Sequence, residues 1–142
     1  MMTEEQLRAR ASALRWELEY VFGPDTAVPG SPLDPPSAGH CAAVAVVVHH
    51  LFGGVYVSTK VRGESHWFNH VRVLPTIPGR FWFDVDLTGD QYHRPRVQVD
   101  PAGKVWRNAT TRDPTHLNLE TLRRAVTLME RLTENSPDGK LP

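Results

Sequence analysis

The sequence predicts an α+β protein in which helices pack on an antiparallel sheet. Three observations carry that prediction. Apolar residues recur every three or four positions near both ends of the chain, the mark of amphipathic helices. A central apolar run closes on Gly53-Gly54, as a helix does at its C-terminus. Between that run and the last helix lie short alternating segments broken by Pro- and Gly-rich turns, which read as a meander of strands. The 142 residues suit one domain with a real core, and residues 1–142 are read as one.

The first helix runs from about Glu4 to Phe22, in an N-terminal segment 1–22. Thr3 and Gln6 have capping-box spacing, and Leu7, Ala11, Leu14, Leu18 and Val21 form one apolar stripe. Residues 23–39 hold five prolines, a density that neither a helix nor a central strand tolerates. Because both flanking segments are apolar, this stretch reads as an arm wrapped along one domain. Residues 40–108 form the helix-plus-sheet core. Ala42 to Val48 is apolar throughout, and its valines suit a strand. The length from Ala38 to Phe52 and the terminal glycines favour a buried helix, on which Cys41, Ala45, Val48 and Phe52 share a face.

Strands follow at Val55–Val61, His66–Val73 and Arg80–Leu87, with Arg62–Ser65 and Leu74–Gly79 as turns. In the third strand Phe81, Phe83, Val85 and Leu87 take one face, and Trp82, Asp84 and Asp86 the other. Val97–Val99 and Lys104–Arg107 flank Asp100–Gly103 as a last hairpin. A C-terminal helix covers 118–133, with Leu119, Leu122, Val126, Met129 and Leu132 as its buried stripe and a frayed tail beyond Thr133. The tryptophans Trp16, Trp67, Trp82 and Trp106 read mostly as core.

Composition narrows the function classes. Sixteen basic and sixteen acidic residues balance, so no electrostatic footprint for nucleic acid or an anionic membrane is visible. No stretch reaches the roughly 18 apolar residues that a membrane span needs. One cysteine cannot form an internal disulfide, which fits a reducing compartment, and a cytoplasmic protein is expected. Seven histidines raise the question of a metal. His66 and His70 lie about 13 Å apart along a strand, too far to share an ion, and no zinc motif is present. Neither a metal nor a cofactor is expected.

The chemistry centres on Cys41. A thiol at the start of a helix meets the positive end of the helix dipole, which favours the nucleophilic thiolate. A hairpin centred on residues 75–78 sets His66 opposite Leu87 and Phe68 opposite Asp84, so Asp86 falls within one position of His66. A slip of one or two residues would change the partner but not the neighbourhood. If the buried helix packs at that end of the sheet, thiol, imidazole and carboxylate meet in the order of an activated nucleophile. Taken singly, each residue keeps a plainer reading: Cys41 as a small core residue, His66 as a strand residue with an ordinary hydrogen bond, Asp86 as a turn former.

Gly39-His-Cys-Ala-Ala-Val-Ala-Val-Val-Val, Phe52-Gly-Gly54, Ser65-His-Trp-Phe-Asn69 and Asp86-Leu-Thr-Gly-Asp-Gln-Tyr92 together resemble the YunG-like family. That small bacterial group is similar to papain-like and transglutaminase-like thiol enzymes. The resemblance covers about Pro36 to Tyr92 and rests on the order and spacing of the four stretches. It implies a papain-like core with Cys41 as nucleophile, His66 as base and Asp86 as orienting acid, supported by Asn69 and Gln91. One position departs: His40 stands where the family pattern has Gln beside the cysteine. Loss of one oxyanion donor costs on the order of 3 kcal/mol, although histidine can itself donate and the backbone N–H of Cys41 offers another.

The expected function is therefore a cysteine hydrolase or acyltransferase acting on a peptide or other amide-containing substrate through a thioester. Trp67, beside His66, is a candidate wall of the substrate cleft. The alternative is a binding or accessory module that keeps the papain-like scaffold without turnover.

Overall fold

Thr3 opens the first helix with a reciprocal cap. Its hydroxyl accepts the N–H of Gln6, and the Gln6 side chain accepts the N–H of Thr3. The computed structural model describes residues 1–142. In it α1 (Glu4–Val21) buries Leu7, Ala11, Leu14, Leu18 and Val21, the stripe its periodicity marks. Arg15 is buried on the same helix, and its role emerges with the site. The Pro-rich arm folds back on itself and onto the core: Val28 N–H donates to Gly39 O at 3.0 Å, and His40 N–H to Ser37 O at 3.0 Å.

The central apolar run is helical. It forms α2 (Cys41–Phe52), starting three residues later than the sequence suggests because Ala38 and Gly39 belong to the turn before it. Gly53 and Gly54 both take positive φ and release the chain into β1 (Val55–Val61). A two-residue turn, Arg62-Gly63, leads to β2 (Glu64–Arg72). Both turn residues have positive φ, the geometry that matches the right-handed twist of paired strands. β3 (Trp82–Asp86) pairs with β2, and β4 (Gln98–Pro101) pairs with β3. β5 (Thr110–Arg112) pairs with β1 at the opposite edge. The result is an open, five-stranded antiparallel sheet in the order β4-β3-β2-β1-β5.

That order overturns the last predicted hairpin. Residues 104–107 do not pair with 97–99. Because β4 and β5 lie at opposite edges, the chain between them crosses the sheet. Asp84, buried in β3, starts the crossing: its Oδ2 accepts the N–H groups of Gly103 at 2.9 Å and Val105 at 3.5 Å. Val105 and Trp106 then pack on Val57 and Phe68. The other face carries Val71, Val73, Phe83, Val85 and Leu87 against α1, α2 and α3 (Leu119–Glu134).

α3 is rotated from its predicted stripe. It buries Thr121, Ala125, Leu128 and Leu132, leaving Leu119, Leu122 and Val126 exposed. Both sets have helical spacing. The small side chains of Thr121 and Ala125 permit close approach to the neighbouring helix, which decides between them. The tail is not simply frayed: Ser136, Asp138 and Lys140 form a hydrogen-bonded turn, and Leu141 packs on the core. Trp16 and Trp82 are exposed rather than core, and Trp16 makes an edge contact with the exposed Tyr20. No helix is long and apolar enough to cross a membrane.

The approach of α2's end to β2 depends on Gly54, whose φ is +84° and whose missing Cβ would lie 2.0 Å from the His70 carbonyl oxygen. Gly54→Ala combines backbone strain with that collision, so a loss of more than about 2 kcal/mol is expected. Urea unfolding should show it, with Gly63→Ala, whose missing Cβ meets open space, costing less.

Candidate functional site

Cys41 is the first residue of α2, half-buried and free of any disulfide. The first helical bond here runs from Val44 N–H to His40 O at 2.9 Å, so the N–H groups of Cys41, Ala42 and Ala43 precede the ladder. No side chain caps them. The thiol lies 3.9 Å from the Ser65 carbonyl oxygen at the start of β2. Above it opens a groove of about 590 Å³. The arm from Val28 to Pro35 forms one wall, the Arg62–Ser65 end of the β1–β2 hairpin another, and Gln91 and Tyr92 close the side.

His66 follows Ser65 and is fully buried. The register explains its partner. Asn69 pairs with Val85 and His70 with Asp84, a slip of one residue from the hairpin reading. The slip puts His66, Phe68, Asp84 and Asp86 on one face of the sheet, with Asp86 diagonal to His66. His66 Nε2–H donates to Asp86 Oδ2 at 2.7 Å. The same oxygen accepts Trp106 Nε1–H at 2.6 Å, while Asp86 Oδ1 accepts Thr88 N–H at 3.1 Å. The structure thus brings His66 and Asp86 together beneath the crossing segment, with Cys41 adjacent to His66 at the same end of the sheet.

Aromatic rings enclose the imidazole. Phe68 stacks on it with centroids 6.1 Å apart, and Tyr92 and Trp106 each lie 5.1 Å away. Burial in this setting pushes the pKa of His66 down. The hydrogen bond to Asp86, the adjacent Cys41 thiol and the Asp86 charge push it up further, to about 9. Nε2 being occupied, the buried Nδ1 is the ring nitrogen left for the thiol, and no other group hydrogen-bonds it. Tyr92 is pushed up to about 12, first by burial and then by Cys41, Glu64 and Asp86, so its hydroxyl keeps its proton.

The supporting residues divide. Gln91 Oε1 accepts Gly39 N–H at 3.5 Å, and its Nε2 donates to Thr88 O at 3.0 Å, which ties the turn before Cys41 to the turn after Asp86. Asn69 Nδ2 donates to Ala45 O at 2.9 Å and fastens β2 to α2 away from the groove. Trp67 packs against Tyr56 and Ala45 with Cys41 and Ala42 beside them, under the helix rather than along the groove.

His40 is turned into the protein. Its Nδ1 lies 3.1 Å from Ala38 O and its Nε2 2.7 Å from Thr26 Oγ1, with the ring against Phe22. Burial lowers its pKa against the smaller upward effect of nearby backbone groups. With Nδ1–H donating to Ala38 O, Nε2 accepts the Thr26 hydroxyl proton, and neither nitrogen is left for a substrate. No group of three or more His, Cys, Asp or Glu side chains is placed to hold a metal ion.

A family model described as YunG protein matches residues 10–131. The chain belongs to the YunG family. The match extends well beyond the Pro36–Tyr92 stretch and takes in Arg15, Trp106 and most of α3. No curated protein and no solved structure matches the chain.

Sequence reasoning missed three parts of this YunG-family site. Trp106 reads from the sequence as a strand and core residue, whereas its buried indole N–H needs an acceptor and finds it in Asp86. Tyr92 enters the sequence reading only as the end of the Asp86–Tyr92 motif. The third part is Arg15 on α1, a position outside that helix's apolar stripe. Its Nε donates to Leu87 O at 2.8 Å and its Nη2 to Asp90 Oδ2 at 3.0 Å, and Asp90 Oδ1 accepts Ser37 Oγ–H at 2.6 Å.

A folded-state pKa near 9 for His66, against an ordinary value of 6.5, has a definite sign in stability. Below pH 6.5 both states hold the proton and the contribution is complete. Above it the folded state holds more protons, and stability falls until pH passes about 9. Urea unfolding across pH 5.5–9.5 should therefore show the stability advantage of wild type over His66→Gln shrinking as pH rises through that window.

Proposed function

We propose that this YunG-family chain is a papain-like cysteine hydrolase or acyltransferase acting on an amide or other acyl bond, in the cytoplasm. The observation that carries the reading is the fully buried His66, bonded to Asp86 through Nε2 and left with Nδ1 for the half-buried thiol of Cys41. On this reading Nδ1 already holds the thiol's proton, and the Cys41 thiolate bonds through Sγ to the substrate's carbonyl carbon as the C=O π pair moves to oxygen. The free N–H groups at the start of α2 face that developing charge. When the oxyanion re-forms the carbonyl, the C–N bond breaks and the amine leaves with the proton from His66. Water in a hydrolase, or a second nucleophile in a transferase, then gives its proton to Nδ1 and attacks the thioester. The thiolate departs and pairs again with the His66 imidazolium. Asp86 accepts from Nε2 throughout and fixes the ring's orientation.

A second reading, a binding module without turnover, has one observation in its favour. His40 occupies the position beside the cysteine where the family pattern has Gln, and both its ring nitrogens are engaged inside the protein. On the enzyme reading, backbone N–H groups must stabilise the oxyanion without that side chain.

Iodoacetamide labelling of Cys41 between pH 5 and 9 separates the two. An imidazolium beside the thiol should keep labelling fast below pH 7 in wild type, and His66→Ala should move the profile to more alkaline pH. Labelling that begins only near the ordinary thiol value of about 8.5, equally in both proteins, would remove the enzyme reading.

A further inference from the structure

Trp106 holds an unusual position for a core tryptophan. Its indole N–H is a donor with no acceptor capacity, and any nearby carbonyl would satisfy it. It bonds instead to Asp86 Oδ2 at 2.6 Å, the oxygen that accepts His66 Nε2–H at 2.7 Å. Trp106, Asp86 and His66 are all buried, so both bonds act in a medium where charge-assisted hydrogen bonds are strong. On the outer side of the indole, the Arg94 guanidinium lies 3.6 Å from the ring centroid and is pinned by a bond from Nη1 to Val105 O. A cation over the ring face is attracted to its π density and, by polarising it, makes the N–H a better donor.

We infer that Trp106 is a positioning residue for His66, sharing Asp86 Oδ2 with the imidazole so as to fix the carboxylate's aim and moderate its pull on the Nε2 proton, and that Arg94 strengthens this action. The inference rests on the reading of Cys41, His66 and Asp86 as a reactive site. A carboxylate that accepts a second strong bond is stabilised in its charged form, and it draws less on the proton of its first partner. Without the indole donor, Asp86 Oδ2 would face His66 alone and hold the imidazolium more tightly. The return of that proton to a leaving group, a step in both hydrolysis and transfer, would then be harder. The charged and titratable groups around the imidazole are Cys41 from α2, Asp86 from β3 and Tyr92 from the turn after it. Glu64 and Arg62 lie on the hairpin near Tyr92, and Arg94 lies behind Trp106.

The test is a histidine titration by NMR on the full chain, with His66 assigned from His66→Gln. In wild type the Trp106 indole N–H resonance should move with the midpoint of His66. Trp106→Phe keeps an aromatic ring and removes the donor. It should raise the His66 midpoint by about half a pH unit, a roughly threefold gain in proton affinity. Arg94→Gln, at an exposed side chain, should shift it in the same direction by less. A Trp106 with only a packing role would lower thermal stability and leave the midpoint in place. An unchanged or lowered midpoint in both variants overturns the inference. If Trp106→Phe does not fold, Arg94→Gln and the wild-type indole resonance decide it. Alkaline-only labelling of Cys41 would remove the enzyme reading separately, since the His66 midpoints are read without turnover.

Discussion

A carboxylate taken out of water must be met by donors, and Asp86 is almost wholly buried. Its three donors come from three parts of the chain: His66 from β2, Thr88 from the strand's own exit and Trp106 from the segment that crosses the sheet. The bonds constrain more than one side chain. The bond to Thr88 turns the chain at the end of β3, and the turn carries Gln91 and Tyr92 to the groove. The bond to Trp106 holds the crossing segment over His66 and closes that face to solvent. Removing any one donor leaves charge in a place with no water to replace it, so the site and the fold around it stand together.

A buried cation organises the other side. Arg15 reaches from α1 to the carbonyl of Leu87, one residue beyond Asp86, and to Asp90, which also holds Ser37 of the arm. Glu19 supplies a further carboxylate on the same helix. The arm is pinned again by the pair of His40 with Thr26, and by Gly39 N–H on Gln91. These contacts set where α2 begins and hence where Cys41 stands. The Pro-rich arm needs such anchors because it has no ladder of its own, and polar side chains hold what secondary structure cannot.

Much of this was legible in the residues. The capping box and stripe of α1, the glycine stop of α2 and the turn between β1 and β2 are local signals, and local chemistry determines them. The nearness of His66 to Asp86 followed from counting along a hairpin, but their common face did not. A one-residue slip changes the face of every side chain relative to its partner strand, and nothing local distinguishes the two registers across an irregular loop. The last hairpin failed for a related reason: Asp84 diverts residues 103–105 across the sheet, and the pull of a distant buried carboxylate leaves no periodicity in the segment it captures. On α3 two apolar stripes had equal spacing, so only the shape of the neighbouring helix could choose. His40 was placed beside the thiol by sequence adjacency, yet a helix start directs successive side chains to different sides, and its ring went inward.

His66, Asp86 and the start of α2 together set the charge beneath the groove. A pKa near 9 keeps His66 an imidazolium at neutral pH despite the cost of desolvating it, because Asp86 lies 2.7 Å away. Asp86 balances that cation from the enclosed side, while Cys41 meets it from the groove. Three N–H groups precede the ladder of α2 at the same place and add the positive end of the helix dipole. An ordinary core cysteine would need none of this, since a neutral thiol is satisfied by apolar contact alone. Imidazolium and helix terminus instead favour negative charge at one point. A buried positive charge beside a half-open thiol is costly to build, and the bond to Asp86 offsets that cost.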